Sequence, residues 1–296
     1  MSGTTIVKMI RRPFRPLKRF YERLRERILF KKWVRPTDVF LVGHPKSGNT
    51  LMAYMFAIVA FEDFENRINL ANIDQYVPGI HAEDLAIGRH PKLSEPRIFR
   101  NEVPIYQELY PKTIYLLRDP RAVLVSYYHM YCTIFNDTTT TLDAFVEEYL
   151  RNGNIQRYEP QIERWDRQVL TWVKRAEDDD RVLIVKYEDL VKKKPEVLKK
   201  TLAFAGIRSK DELFDLVLQR SSFEAMRKTE EEFGEENYPG EMATRERFIR
   251  KGKVDGWKEE MSPETVKAIE DEFRDTMKRV GYALSSVDST TIADSG

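Results

Sequence analysis

The sequence contains one cysteine, Cys132, in 296 residues. A single thiol excludes a disulfide framework and cannot by itself build a structural zinc site. No apolar run approaches the roughly 20 residues that a membrane-spanning helix needs. The opening MSGTTIVKMIRR places its apolar stretch ahead of its basic one and lacks a cleavage-site pattern, so it does not read as a secretory signal. Net charge is nearly absent as well, with 49 basic residues against 48 acidic ones. That balance excludes wholesale polyanion binding, and with it a nucleic-acid partner, but leaves room for a local anion site. What is present, 42% hydrophobic and 11% aromatic residues, suffices for a substantial core. The reading is a globular chain of a reducing compartment, the cytoplasm.

The near-zero charge conceals an uneven distribution. Residues 1–35 hold twelve Lys and Arg against Glu22 and Glu26, a net +10, which leaves −9 for the rest. Within this arm Phe14, Leu17, Tyr21, Leu24 and Ile28 recur at helical spacing among basic residues. Two readings of the stripe stand: an interfacial helix on an anionic membrane, peripheral rather than spanning, or a helix packed on its own domain with a solvated basic face.

From Asp38 short apolar runs alternate with longer helical ones. Strands are expected at Val39–Val42, Ile98–Phe99, Thr113–Leu117 and Val182–Val185, whose nearly continuous apolar character suits strands covered on both faces. Helices are expected over Thr50–Phe61, Ala122–Tyr131, Leu142–Leu150 and Pro160–Ala176, then Lys194–Ala205, Lys210–Gln219, Phe223–Thr229 and Pro263–Val280. The alternation implies an α/β fold, a P-loop-like three-layer domain with a central parallel sheet flanked by helices. Three regions follow: a basic amphipathic arm over 1–37, one catalytic domain over 38–284, and a polar, disordered tail over 285–296.

The first strand runs straight into Gly43-His44-Pro45-Lys46-Ser47-Gly48-Asn49-Thr50 and then an apolar helix. A strand, a glycine-bearing turn and a helix N-terminus converge backbone N–H groups and a positive dipole end on one point, which makes an anion site. Gly43 and Gly48 have P-loop spacing, but Asn49-Thr50 stands where Lys-Ser/Thr is expected, and the lysine comes earlier, at Lys46. Phosphate-type binding is therefore expected without the standard nucleoside-triphosphate arrangement.

Here the sequence resembles the sulfotransferases that use 3′-phosphoadenosine 5′-phosphosulfate (PAPS). Pro45 to Thr50 is similar to that family's PKSGTT loop, which holds the 5′-phosphosulfate. The resemblance implies that Lys46 contacts the bridging oxygen and that Ser47, Gly48, Asn49 and Thr50 supply donors. Leu51 stands where cytosolic members place an adenine-stacking tryptophan. A second segment, Arg118-Asp119-Pro120 through Ser126, resembles the family's 3′-phosphate grip, with Arg118 and Ser126 as its contacts and Ala122 in place of an aspartate. A third, Phe248-Ile249-Arg250-Lys251-Gly252 through Trp257-Lys258, resembles the C-terminal R-K-G element. Tyr187, Ser221 and Phe223 match smaller parts of the nucleoside pocket. PAPS is thus the implied co-substrate, and no metal is required, since Lys46 and the arginines bring the positive charge.

Sulfuryl transfer requires a deprotonated acceptor, and a positioned base provides it. Cytosolic members carry a histidine in a K-T-H-x-P segment after the second strand. The matching stretch here is Arg100-Asn101-Glu102-Val103-Pro104, so Glu102 takes the histidine position and Arg100 replaces the lysine as a candidate contact to the sulfonate. The catalytic set implied is Glu102, Lys46, Arg100 and Ser126. His44, His81, His90 and His129 read as surface or structural histidines.

Other features read as structural: Asp178–Asp180 as a solvated turn, Lys192–Lys194 as a surface helix start, Trp165 and Trp172 as core, and Cys132 as a small core residue. The expected activity is transfer of a sulfuryl group from PAPS to a hydroxyl or amine of a small-molecule, lipid or glycan acceptor. The alternative is a P-loop-type nucleotide or small-molecule kinase. Segments 72–96 and 232–247 are expected to shape the acceptor pocket, and the oligomeric state stays open.

Overall fold

The four apolar runs form strands β1 (Val39–Gly43), β2 (Ile98–Asn101), β3 (Lys112–Leu117) and β4 (Val182–Lys186), joined in one parallel sheet of order β2-β1-β3-β4. The computed structural model describes residues 14–80, 93, 95–155, 161–237 and 252–285, without the side chains of 14–20 and 233–237. Strand β1 pairs with β2 from Val39↔Ile98 to Val42↔Asn101, and with β3 from Val39↔Lys112 to Gly43↔Leu116. Parallel pairing requires crossovers, and helices supply them on both faces.

Alternate residues of a strand face opposite sides of the sheet. Phe40 and Val42 of β1, with Tyr115 and Leu117 of β3, enter one core; Val39 and Leu41, with Ile114 and Leu116, enter the other. The first core is closed by α3 (Pro120–Phe135), α4 (Leu142–Asn152), α5 (Trp165–Asp178), α10 (Pro263–Glu272) and α11 (Arg274–Arg279). The second is closed by α2 (Asn49–Ala60), α6 (Tyr187–Lys192), α7 (Lys194–Ala205), α8 (Asp211–Arg220) and the start of α9 (Phe223–Asn237). Helix α2 is buried from Met52 to Val59, which is why its sequence is apolar all round.

Several boundaries differ from expectation. The helix expected over Pro263–Val280 is two helices, because Phe273 ends α10 and begins α11 while its ring packs on Trp165 at 5.3 Å. Helix α9 runs to Asn237 rather than Thr229, and α5 begins at Trp165. Trp165 and Trp172 are both buried, and Cys132 is partly buried against the first core. Asp179 is held by Arg175 and Arg181. Lys194 does not lie at the surface with its neighbours: burial lowers its pKa, and its ammonium donates to the Ser221 carbonyl.

The N-terminal helix α1 (Phe14–Trp33) docks by its last turns. Phe30 is wholly buried among Phe40, Tyr106 and Tyr110, and Trp33 packs on Phe99 at 5.0 Å. The buried pair Arg97–Asp38, at 2.5 Å, is tied to α1 by an Arg97 Nη2 bond to the Trp33 carbonyl. Further up the helix, Tyr106 donates to Glu26 at 2.9 Å, and Arg27 pairs with Glu108.

Candidate active site

The anion loop is built by backbone strain on one side and a buried histidine on the other. Lys46 and Gly48 have φ of 69° and 101°, so the chain turns through the left-handed region twice before α2 begins. Only glycine fits at 48, because a Cβ there would lie 2.6 Å from the Tyr187 ring. Beneath the turn, His44 is fully buried. Its Nδ1–H donates to the Pro45 carbonyl at 3.1 Å, and its Nε2 accepts from Tyr149 Oη at 3.2 Å. Tyr149 Oη in turn accepts from Trp165 N–H at 2.9 Å. This chain uses the neutral tautomer, and burial lowers the His44 pKa to about 4. His44 is thus a structural support of the loop.

Strand register places Glu102 directly after Asn101, the partner of Val42, so the carboxylate emerges beside Gly43 at the carboxyl ends of the strands. Two amides fix it. Asn49 Nδ2 donates to Glu102 Oε1 at 3.0 Å and to the Gly43 carbonyl at 3.2 Å. Gln168 Nε2 of α5 donates to the Glu102 carbonyl at 3.1 Å, while Tyr115 Oη donates to Gln168 Oε1 at 3.3 Å. The candidate base is therefore bonded to the first residue of the loop helix.

The positive side of the site comes from two elements. Lys46 Nζ reaches α3 and contacts Met130 Sδ at 3.5 Å; Ser126 lies one turn earlier on the same helix face. Arg118, at the end of β3, donates from Nη1 to the Lys46 carbonyl at 2.6 Å and stacks over the Tyr187 ring at 4.2 Å. Gly48, Tyr187, Arg118 and Lys46 thus form one group. A second group joins Phe223 and Gly252: Gly252 has φ of 63°, and a Cβ there would lie 2.3 Å from the Phe223 ring. Ser221, just before Phe223, has its carbonyl held by Lys194.

Three buried polar atoms around the loop, Ser47 Oγ, Asn49 Oδ1 and Arg118 Nε, have no hydrogen-bond partner among the described residues. Buried polar groups are nearly always satisfied. Two of these three, Ser47 Oγ and Arg118 Nε, can donate, and they flank the loop, so an anion with several acceptor oxygens would complete those two.

Other expected site residues are placed as follows. Arg100 is ion-paired with Asp74, so contact with a sulfonate would require it to exchange that partner. Thr50 follows Asn49 in the first turn of α2. His129 pairs with Glu260 at 2.6 Å. Arg250, Lys251, His81 and His90 lie outside the described residues, as do parts of both segments expected to shape the acceptor pocket.

Two residues not read as functional in the sequence, Gln168 and Arg121, matter here, and Asn49 has a second role. Asn49 was expected to serve the co-substrate and also holds Glu102. Gln168 had no signal beyond its place between Trp165 and Trp172. Arg121 lies in the second motif, yet its role is long-range. It forms a bidentate pair with Asp119, binds Glu270 and lies 4.1 Å over Trp257, tying the C-terminal element to the Arg118 segment.

Comparison with known proteins agrees with this architecture. The family profile described as "Sulfotransferase domain" matches residues 36–281. An amine sulfotransferase of Oryctolagus cuniculus is 25% identical over 257 residues, covering 83% of this chain and 82% of that protein. A 3-beta-hydroxysteroid sulfotransferase of Cavia porcellus is 28% identical over 259 residues, covering 82% and 84%. Among solved structures, retinol dehydratase in complex with androsterone and the inactive cofactor PAP superposes with a TM-score of 0.62 at 21% identity, covering 90% of this chain and 88% of that one. A mouse sulfotransferase complexed with PAP gives 0.58 at 22% identity, covering 84% and 86%. With its central parallel sheet, its glycine-bearing strand-to-helix loop and a profile match over most of its length, the chain belongs to the sulfotransferase-domain family.

Proposed function

We propose that this enzyme moves the sulfuryl group of PAPS to a hydroxyl or amine of a small-molecule acceptor, with Glu102 as the general base. The observation that carries the reading is the Asn49–Glu102 bond, which joins a carboxylate to the first residue of an anion loop. PAPS, when bound, supplies the transferable sulfuryl group and a phosphate leaving group. The loop N–H groups, Ser47, Thr50 and Lys46 would hold the phosphosulfate end, and Lys46 would neutralise charge as the bridging oxygen departs. Arg118 and Ser126, from β3 and α3, would hold the 3′-phosphate, with Arg250, Lys251 and Gly252 as the third contact. Tyr187, Ser221 and Phe223 would line the nucleoside. The unsatisfied Ser47 and Arg118 donors fit such a ligand. Glu102 takes the acceptor proton as the nucleophile attacks opposite the leaving oxygen.

The printed names of the relatives include amine and hydroxysteroid sulfotransferases, which supports a small nucleophilic acceptor here. The kinase alternative is not favoured, since Asn49 stands where a kinase loop places its lysine. Thermal shift tests the assignment: 3′,5′-adenosine bisphosphate should raise Tm and ATP with magnesium should not. Labelled PAPS incubated with amine, steroid, phenol, lipid and glycan panels should then label one acceptor class. Stabilisation by ATP with magnesium alone would overturn the proposal.

A further inference from the structure

Helix α1 has two apolar faces, and one of them packs into the core. Phe30 and Trp33 pack into the first core, and Glu26 bonds Tyr106 on the same side. At about 100° per residue, Tyr21, Leu24 and Ile28 fall within an arc of about 60° that lies roughly 120–180° from Glu26, Phe30 and Trp33. This second face points to solvent: Tyr21 is 61% exposed, Leu24 42% and Ile28 47%. They are three of the four exposed large hydrophobic residues among those described. By the same spacing, Lys31 borders the arc on one side, with Arg25 and Lys32 on the other, and all three are exposed. Glu22 and Glu26, the only acidic residues among the first 35, fall on the far side with the docked face.

The charge pattern selects the occupant. An exposed apolar strip bordered by cations, with its acidic residues turned away, complements a surface that is apolar within and anionic at its rim. The segment adds Lys8, Arg11 and Arg12 in the sequence ahead of the helix, within an arm of +10. A second copy of this chain would bring the same +10 against itself, so self-association through this face is disfavoured by charge. No helix among the described residues is long and apolar enough to cross a membrane, so insertion would be shallow and parallel to the surface. We infer that the outward face of α1, Tyr21, Leu24 and Ile28 with Arg25, Lys31 and Lys32, docks the enzyme on anionic lipid bilayers. This inference is independent of the catalytic reading. The docked side of the same helix lies on Tyr106 and Glu108, a few residues beyond Glu102, so the bilayer would be held near the segment that carries the candidate base.

Vesicle co-sedimentation of the full chain tests it. Deleting the arm is unsuitable, because Phe30 and Trp33 would leave the core; the double variant Leu24→Glu/Ile28→Glu alters only the exposed face. The wild type should pellet with phosphatidylcholine vesicles containing 30% phosphatidylserine, and at least tenfold less with phosphatidylcholine alone. Half-molar salt should weaken the binding. The double variant should lose binding at least tenfold while keeping its Tm and its circular dichroism spectrum, and Arg25→Glu/Lys32→Glu should do the same. Equal pelleting of wild type and Leu24→Glu/Ile28→Glu would overturn the inference, as would no pelleting of the wild type. A wild-type dimer in light scattering that the double variant abolishes would assign the face to a second copy instead.

Discussion

Replacing Asn49 with alanine removes the amide that fixes Glu102 Oε1 at 3.0 Å, and also the 3.2 Å bond to the Gly43 carbonyl. A hydrogen bond to a charged group contributes about 1.5–3 kcal/mol, and each 1.36 kcal/mol is tenfold in rate, so the ceiling is roughly 100-fold. Glu102 is partly solvated, which places the expected loss in kcat near tenfold. The test is a double-mutant cycle with Glu102→Gln, measured as initial rates of label transfer from PAPS at saturating acceptor. If Asn49 acts through Glu102, Asn49→Ala should cost about tenfold in the wild type and less than about threefold in the Glu102→Gln background. Affinity for 3′,5′-adenosine bisphosphate should change little in both. Full multiplicative losses would show that Asn49 and Glu102 act independently, and would refute the positioning argument.

Two further predictions concern stability. His44 is kept neutral in the fold with its pKa lowered to about 4, whereas the unfolded chain takes up a proton near 6.5. The unfolded state therefore binds more protons between those values, and stability falls as pH drops through that window. The loss is about 2 kcal/mol between pH 7 and pH 5, or roughly 4–8 °C in Tm. A His44→Gln variant should show a flatter Tm profile over that range, and an identical profile would exclude His44 as its source. Arg121→Met removes the buried cation that pairs with Asp119 and Glu270, at a cost of about 3–5 kcal/mol, or roughly 6–20 °C in Tm. Calorimetry showing a shift below about 2 °C would contradict the structural role given to that network.

The sheet was legible because doubly covered parallel strands are apolar at every position, and Val39–Val42 or Thr113–Leu117 can hardly be anything else once flanked by a turn and a helix. The loop was legible for a related reason: few sequences place two glycines and a lysine between a strand and an apolar helix. Glu102 could be named only through the resemblance, and its place beside Gly43 emerged with the register that pairs Asn101 with Val42. Contacts joining distant residues left no local mark. Asn49 meets Glu102 across 53 positions, and Arg121 meets Glu270 across 149. Neither pair produces a periodicity or a spacing. The amphipathic stripe of α1 shows the limit most clearly. Spacing reveals that Tyr21, Leu24 and Ile28 share a face, but burial depends on which face the rest of the chain covers. Here it covers Phe30 and Trp33, because the aromatic ends of β1, β2 and the Tyr106–Tyr110 turn meet there. Likewise, Phe273 breaks a continuous helical pattern through packing on Trp165, not through any helix-stopping residue.

Glu102 is the proposed base of a PAPS-dependent sulfuryl transfer. Glu102→Gln keeps the side chain's size and a carbonyl oxygen facing Asn49, and it removes only the ability to take a proton. This variant should bind 3′,5′-adenosine bisphosphate with affinity close to wild type, while kcat for transfer from PAPS should fall by roughly 100-fold or more. Turnover within a fewfold of wild type, with binding intact, would contradict that role.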